Sequence, residues 1–179
     1  MRLAQPDRRS CGAAALVMAR RGIDPAYAAE IADEVAFAAE VLELHGRLTS
    51  LTDSAGSLQG PWLRAVGTPP WAVARELRLL TGTSYAVRGA RHGAAVWEHA
   101  SRATQQLPVA VYVGDRWVPR HVVLVLGSTA DATWTYEPTA GHMTLVSRAR
   151  WLDGPLRLAG WHRPWLVVAP DPVAAPDEG

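Results

Sequence analysis

The chain has no lysine and no asparagine, one cysteine, one phenylalanine and two isoleucines, and all 18 of its basic side chains are arginine. Lys, Asn, Ile and Phe use AT-rich codons, so their scarcity reads as a bacterial, high-GC genome. Selection against lysine, in a toxin or effector that must escape modification inside a eukaryotic cell, is the rarer explanation. Without Asn, no catalytic triad here can end in asparagine. A single Cys makes no internal disulfide, and no Cys/His cluster has zinc-ligand spacing. No metal and no cofactor are therefore expected. A net charge of +1 supplies no field for nucleic acid or an anionic membrane surface. No stretch approaches 18 consecutive apolar residues, so no membrane span is expected. The opening Met1-Arg2-Leu3-Ala4-Gln5-Pro6-Asp7-Arg8-Arg9 turns charged where a signal peptide would become apolar. A cytoplasmic location is expected, while export by a dedicated secretion machine leaves no sequence signature.

What remains is 179 residues, half of them apolar and a fifth charged, enough to bury a core without staples. A single domain is expected over residues 1–168, followed by a Pro-rich disordered tail at 169–179. The first half reads helical. Ser10 is placed to cap a helix from Cys11 to Gly22 that is apolar nearly all round, as a buried central helix would be. Asp24-Pro25 opens a second helix, carried to Gly46 by an apolar face of Tyr27, Ile31, Val35, Ala38 and Leu42. Residues 47–68 read as irregular, with a short helix near Trp62. Thr68-Pro69-Pro70 begins a third helix through Leu80, stopped at Gly82. A short strand follows at Ser84–Val87, then a fourth helix over Gly93–Gln105. Beyond it the period changes to strands at Pro108–Val113, His121–Leu126, Ala132–Tyr136, Met143–Val146 and Trp161–Val168. Helices followed by an antiparallel sheet define the α+β class.

Chemistry centres on Cys11. It sits in the first turn of its helix, where partial positive charge favours a thiolate by roughly 0.3–1 kcal/mol, about 2 when partly buried. That is too little to ready a nucleophile at neutral pH, so a partner imidazole is needed. Of six histidines, His45 ends a helix, His92 and His142 lie in turns, His99 is on a helix and His162 precedes a strand. His121 differs, because it opens a strongly apolar strand directly after Pro119-Arg120.

Gln5-Pro-Asp-Arg-Arg-Ser-Cys11-Gly-Ala-Ala-Ala-Leu resembles the active-site segment of papain-like cysteine peptidases of the bacteriocin-leader-processing type, also called double-glycine peptidases. That family has a Gln six residues before a Cys-Gly pair, a His-x-Val-x-Val strand ending in Gly, and an Asp-Pro-x-x-Gly turn about sixteen residues later. His121-Val-Val-Leu-Val-Leu-Gly127 is similar to the strand, and Glu137-Pro138-Thr139-Ala140-Gly141 to the turn, with Glu in place of the usual Asp. The resemblance implies a papain-like fold, with the nucleophile at the start of a buried central helix packed on a C-terminal antiparallel sheet. It also implies Cys11 as nucleophile, His121 as base, Glu137 as the residue orienting the imidazole, and Gln5 as side-chain oxyanion donor beside the Cys11 amide. An added methylene shifts a carboxylate by over ~1 Å, a displacement that can cost about a hundredfold in rate. Asp131 and Asp115 are lower-ranked substitutes for Glu137.

Three functions stay open at this point. The first is a stand-alone cysteine-dependent amide or peptide hydrolase acting on a peptide or protein. The second is a secreted effector or toxin of the same fold, a protease, deamidase or acyltransferase with a secretion or immunity partner. The third is a non-catalytic peptide-binding module. Trp97, Trp134, Trp151 and Trp165 are read as core and Trp117 as a neighbour of His121. Arg20 and Arg21 suit the negative end of the first helix, and Arg8 and Arg9, near Cys11, are read first as solvated surface and second as binders of a substrate carboxylate or a source of positive potential.

Overall fold

The computed structural model describes residues 2–50, 67–153 and 156–171. Among these described residues, six helices and six strands follow in the order α1 (Cys11–Ile23), α2 (Pro25–Glu30), α3 (Glu34–Leu48), α4 (Pro70–Thr81), β1 (Tyr85–Gly89), α5 (Gly93–Ala100), β2 (Val109–Gly114), β3 (Pro119–Ser128), β4 (Ala132–Glu137), β5 (His142–Ser147), α6 (Arg148–Leu152) and β6 (Arg163–Pro170). The strands form one antiparallel sheet in the order β1-β6-β2-β3-β4-β5. The fold is α+β, with helices packed on that sheet.

Strand alternation divides the core in two. Ala110, Tyr112, Val122, Leu124, Tyr136 and Val168 face a cluster built from α1, α3, α4 and Tyr27. Their neighbours Val109, Val111, Val123, Val125, Val167 and Ala169 face a second cluster with Val96 of α5 and Trp151 of α6. Because both faces are covered, β2 is buried along its whole length. That is why its sequence is an unbroken apolar run rather than an alternating one. The order β1 then α5 is the expected one, whereas α6 and the second helical layer it forms with α5 have no counterpart in the sequence reading.

The helix expected over residues 24–46 is two helices. Asp24 accepts a hydrogen bond from the Tyr27 amide and caps α2, and Asp33 accepts one from the Ala36 amide and caps α3. A cap of this kind is worth about 1 kcal/mol, and the second one resets the helical phase. Phe37, Val41, Leu44 and Leu48 now point inward, while Val35 (80% exposed) and Leu42 (46%) face solvent. Tyr27 alone of the expected face is fully buried. Ser10 occupies the N-cap position of α1, but its hydroxyl makes no cap hydrogen bond. The Asp7 carboxylate instead takes the Arg9 and Ser10 amides at 2.8 and 2.9 Å, folding the chain into the helix from upstream.

Other boundaries move modestly. α4 ends at Gly82 in a left-handed C-cap as expected, whereas α5 stops at Ala100 rather than Gln105. β6 runs through Ala169 and Pro170, which pair with Ala86 and Tyr85 of β1. The chain is therefore ordered past the start assigned to the tail; residues 172–179 lie outside the described residues, as does the helix expected near Trp62. Trp151 is buried as expected. Trp134 is not, at 48% exposed: on the face it shares with Tyr136, α1 lies mainly over β3 and α4 over β1 and β6, so β4 is only marginally covered.

Candidate active site

Cys11 is the first residue of α1 and is 4% exposed. Its amide and that of Gly12 have no intrahelical acceptor, being first-turn donors. Gly12 is required by proximity: a β-carbon there would stand 2.6 Å from Cβ and 2.7 Å from Oγ1 of Thr68. The Cys-Gly pair thus lets the Gly67–Thr68 segment close over the start of the helix. Tyr112 of β2 anchors that segment from below by donating to the Thr68 carbonyl at 2.9 Å.

His121 is the third residue of β3, which begins at Pro119, two residues earlier than the apolar run suggests. The β2–β3 register slips here, from Val113 opposite His121 to Gly114 opposite Pro119, leaving Arg120 as the extra residue of a bulge. Plain alternation would group His121 with Val123 and Val125, on the face away from α1. A bulge at a strand end bends the chain and re-aims a side chain, and here the imidazole meets the Cys11 thiol.

Glu137 closes the chain of contacts. Its Oε1 lies 2.7 Å from His121 Nε2, which leaves Nδ1 as the ring nitrogen for the thiol. Oε1 also accepts from the Thr139 amide and Oε2 from the Ala140 amide, each at 2.8 Å. Leu124 pairs with Tyr136, so His121 lies on the diagonal from Glu137, two positions along the strand. Diagonal neighbours are about 7–8 Å apart, a gap that the longer Glu side chain suits. Asp115 holds the Trp117 and Val118 amides and an ion pair with Arg120, so it is committed elsewhere. Asp131 receives the Arg148 amide on its backbone carbonyl.

The turn carrying Glu137 is laced to the N-terminal segment. The Leu3 amide donates to the Gly141 carbonyl and the Gln5 amide to the Pro138 carbonyl, at 3.0 and 2.8 Å. Arg2 donates to the carbonyls of Thr139 and Ala140, and the Tyr136 hydroxyl to that of Leu3. Gln5 is thereby brought beside the turn that follows Glu137. Its side-chain amide donates to the Asp7 carbonyl, its Oε1 is buried without a partner, and it is not among the cleft-lining residues.

Burial alone would pull the His121 pKa down. The ring's hydrogen bond to the Glu137 carboxylate and its closeness to the Cys11 sulfur outweigh that and raise the value to about 9. Glu137 is held below its ordinary range despite its burial, by His121 and the two backbone amides. The ring is therefore an imidazolium at neutral pH and the carboxylate is ionised.

Cys11 and His121 open onto a cleft of about 620 Å³. Its apolar walls are Pro70, Tyr112, Val118, Pro119, Val122, Trp161 and Leu166. Sequence reading missed Tyr112, Thr68 and Trp161, which belong to strand or loop patterns with no signal of a cleft. Trp117, expected near His121, is 69% exposed under Arg116 rather than in the cleft. Arg8 and Arg9 line the cleft, beyond the surface role read first from the sequence. Among the described residues, no three His, Cys, Asp or Glu side chains come together as a metal site requires.

No family model and no curated protein matches the chain. Among solved structures it is similar to the peptidase domain of Streptococcus ComA, described as a bi-functional ABC transporter involved in a quorum sensing pathway. The identity is 16%, covering 95% of this chain and 98% of that one, with a TM-score of 0.44. It is likewise similar to the peptidase domain of Streptococcus mutans ComA, at 16% identity, 96% and 98% coverage and a TM-score of 0.44. No helix among the described residues is long and apolar enough to cross a membrane.

Proposed function

We propose that the chain is a cysteine-dependent amide or peptide hydrolase. The supporting observation is the unbroken line Cys11–His121–Glu137, three groups from three elements with an imidazolium between two acids at one end of an apolar cleft. A structural histidine has no need of a thiol on one side and a fully hydrogen-bonded carboxylate on the other.

In this reading the Cys11 thiolate attacks the substrate carbonyl. The carbonyl π pair moves onto oxygen, where the Cys11 amide stabilises it, together with the free N–H of Gln5 once that amide turns from Asp7. Such a donor is worth roughly 2.7–4 kcal/mol in the transition state. The C–N bond then breaks as His121 gives its proton to the leaving nitrogen, forming a thioester. His121, now neutral, takes a proton from water, whose oxygen attacks the thioester and releases the acid and the thiolate. Glu137 holds the ring so that Nδ1 faces sulfur throughout.

Alkylation of Cys11 by iodoacetamide at pH 6.5 tests this, in wild type and His121→Ala. Fast wild-type alkylation that drops about tenfold or more without the imidazole supports the pair. A thiol that stays inert in the folded protein, or is indifferent to losing His121, overturns it.

A further inference from the structure

The cleft is electrically one-sided. Its charged lining residues are Arg8, Arg9, Arg120 and His121, and none of the described residues lining it is acidic. Arg120 is answered by Asp115 at 3.3 Å. Arg8 and Arg9 are exposed and have no ion pair or hydrogen bond through their guanidinium groups among the described residues. The nearest acid in sequence, Asp7, spends its Oδ1 on the amides of Arg9 and Ser10.

Their position makes this costly to the unliganded protein. Two cations precede α1 at its positive end, where acidic residues are stabilising and basic ones are not, and the first turn contains no acid to offset them. Violations of a local rule are expected at functional sites, and the one acid here, Asp7, is turned to the backbone amides of Arg9 and Ser10. A second observation agrees. Thr68 lines the same cleft, is 3% exposed, and carries a hydroxyl with no hydrogen-bond partner. The apolar remainder of the walls excludes a purely ionic ligand and suits a peptide with apolar residues.

We infer that the cleft takes a peptide with a carboxylate within a residue or two of the scissile bond, and that Arg8 and Arg9 read that carboxylate. This rests on the hydrolase reading above.

Cys11 can report the field directly. Iodoacetate and iodoacetamide both form an S–C bond at the same sulfur and expel iodide, and they differ in one carboxylate. The ratio of their rates therefore cancels the nucleophilicity of the thiol. In Arg8→Ala/Arg9→Ala the iodoacetate-to-iodoacetamide ratio is expected to fall about threefold or more, and less as salt is raised. Arg8→Lys/Arg9→Lys keeps the charge and should keep most of the ratio. Ordinary alkylation by iodoacetamide with an unchanged ratio overturns this inference alone. Alkylation by neither reagent overturns the hydrolase reading, and this one with it.

Peptides of one apolar sequence then compete with iodoacetamide: an amidated form carrying Glu, the same form carrying Gln, and a neutral form with a free terminal carboxylate. Protection by the Glu peptide supports an acidic side chain, and protection by the free acid supports a chain-end carboxylate. Equal protection by all three peptides overturns the inference.

Discussion

Gly141 presses against the backbone of Ala4, so that a β-carbon at Gly141 would stand 2.6 Å from the Ala4 nitrogen and 2.8 Å from its α-carbon. The same glycine has φ +69°, in the left-handed region. Both demands come from the turn that delivers Glu137 to His121. Gly141→Ala should therefore destabilise the protein by about 1–3 kcal/mol. It should also slow Cys11 alkylation at pH 6.5, because the turn and residues 3–5 move apart. Urea unfolding measures the first effect and alkylation kinetics the second; a change in neither would show that the contact is not a fixed part of the fold.

Glu137→Gln leaves the buried His121 without its anionic partner, and the two amides of the turn without a carboxylate. Removing one member of a buried pair costs about 3–5 kcal/mol when nothing relaxes. The activity proposed here should fall by roughly tenfold to a hundredfold, less than for loss of the nucleophile, since orienting carboxylates contribute less than nucleophile and base. Proton NMR of the imidazole, followed against pH, should show the His121 titration moving down.

The His121 pKa, raised from 6.5 to about 9, has a stability signature. A folded-state value above the unfolded one means that folding favours proton uptake. The stabilisation is thus complete below about pH 6.5 and is lost as pH rises through about 9. Its size is on the order of 3 kcal/mol. Denaturation midpoints measured between pH 6 and 10 should fall over that window in wild type and stay flatter in His121→Ala. Glu137 acts at the other end: its depressed value gives stability that is lost as pH falls below the ordinary carboxylate range.

Thr68→Val replaces a buried hydroxyl that has no partner with a methyl of the same shape. Desolvating an unmet polar group costs about 1–3 kcal/mol, so the variant should be more stable by about 1 kcal/mol in the absence of ligand. Thermal unfolding checks this. A drop in stability would mean that the hydroxyl is bonded in solution.

The fold was legible where one physical signal dominated. The Val-rich runs at 109–113 and 122–125 read as strands, Asp24-Pro25 as a helix start and Gly82 as a helix stop, although cover on both faces of the sheet was not read from them. Cys11 was singled out as the lone cysteine at a helix start and His121 as a polar ring opening an apolar strand, the resemblance paired them, and the fold brings the two side chains together. Asp33 was the missed signal in the helical half: it lies four residues before Phe37, whose burial sets the phase of α3. The cleft itself was not legible. Arg8 and Arg9 look like any charged pair ahead of a helix, and only the meeting of α1 with β3 and the Gly67–Thr68 segment turns them inward. Trp134 failed in the opposite direction, because a strand sequence does not say how far the helical layer above it reaches.

The strap of residues 2–5 across the 137–141 turn also has a consequence for the order of events during synthesis. Cys11 is synthesised 110 residues before His121, and the turn that holds that ring follows later still. A nascent chain, or one truncated before residue 137, carries the thiol without the Glu137 carboxylate and its turn. Closing a loop this long costs entropy that only the nearly finished sheet can offset. Assembly of the Cys11–His121–Glu137 contacts is thus tied to synthesis of the turn after Glu137, and no shorter nascent chain brings all three side chains together.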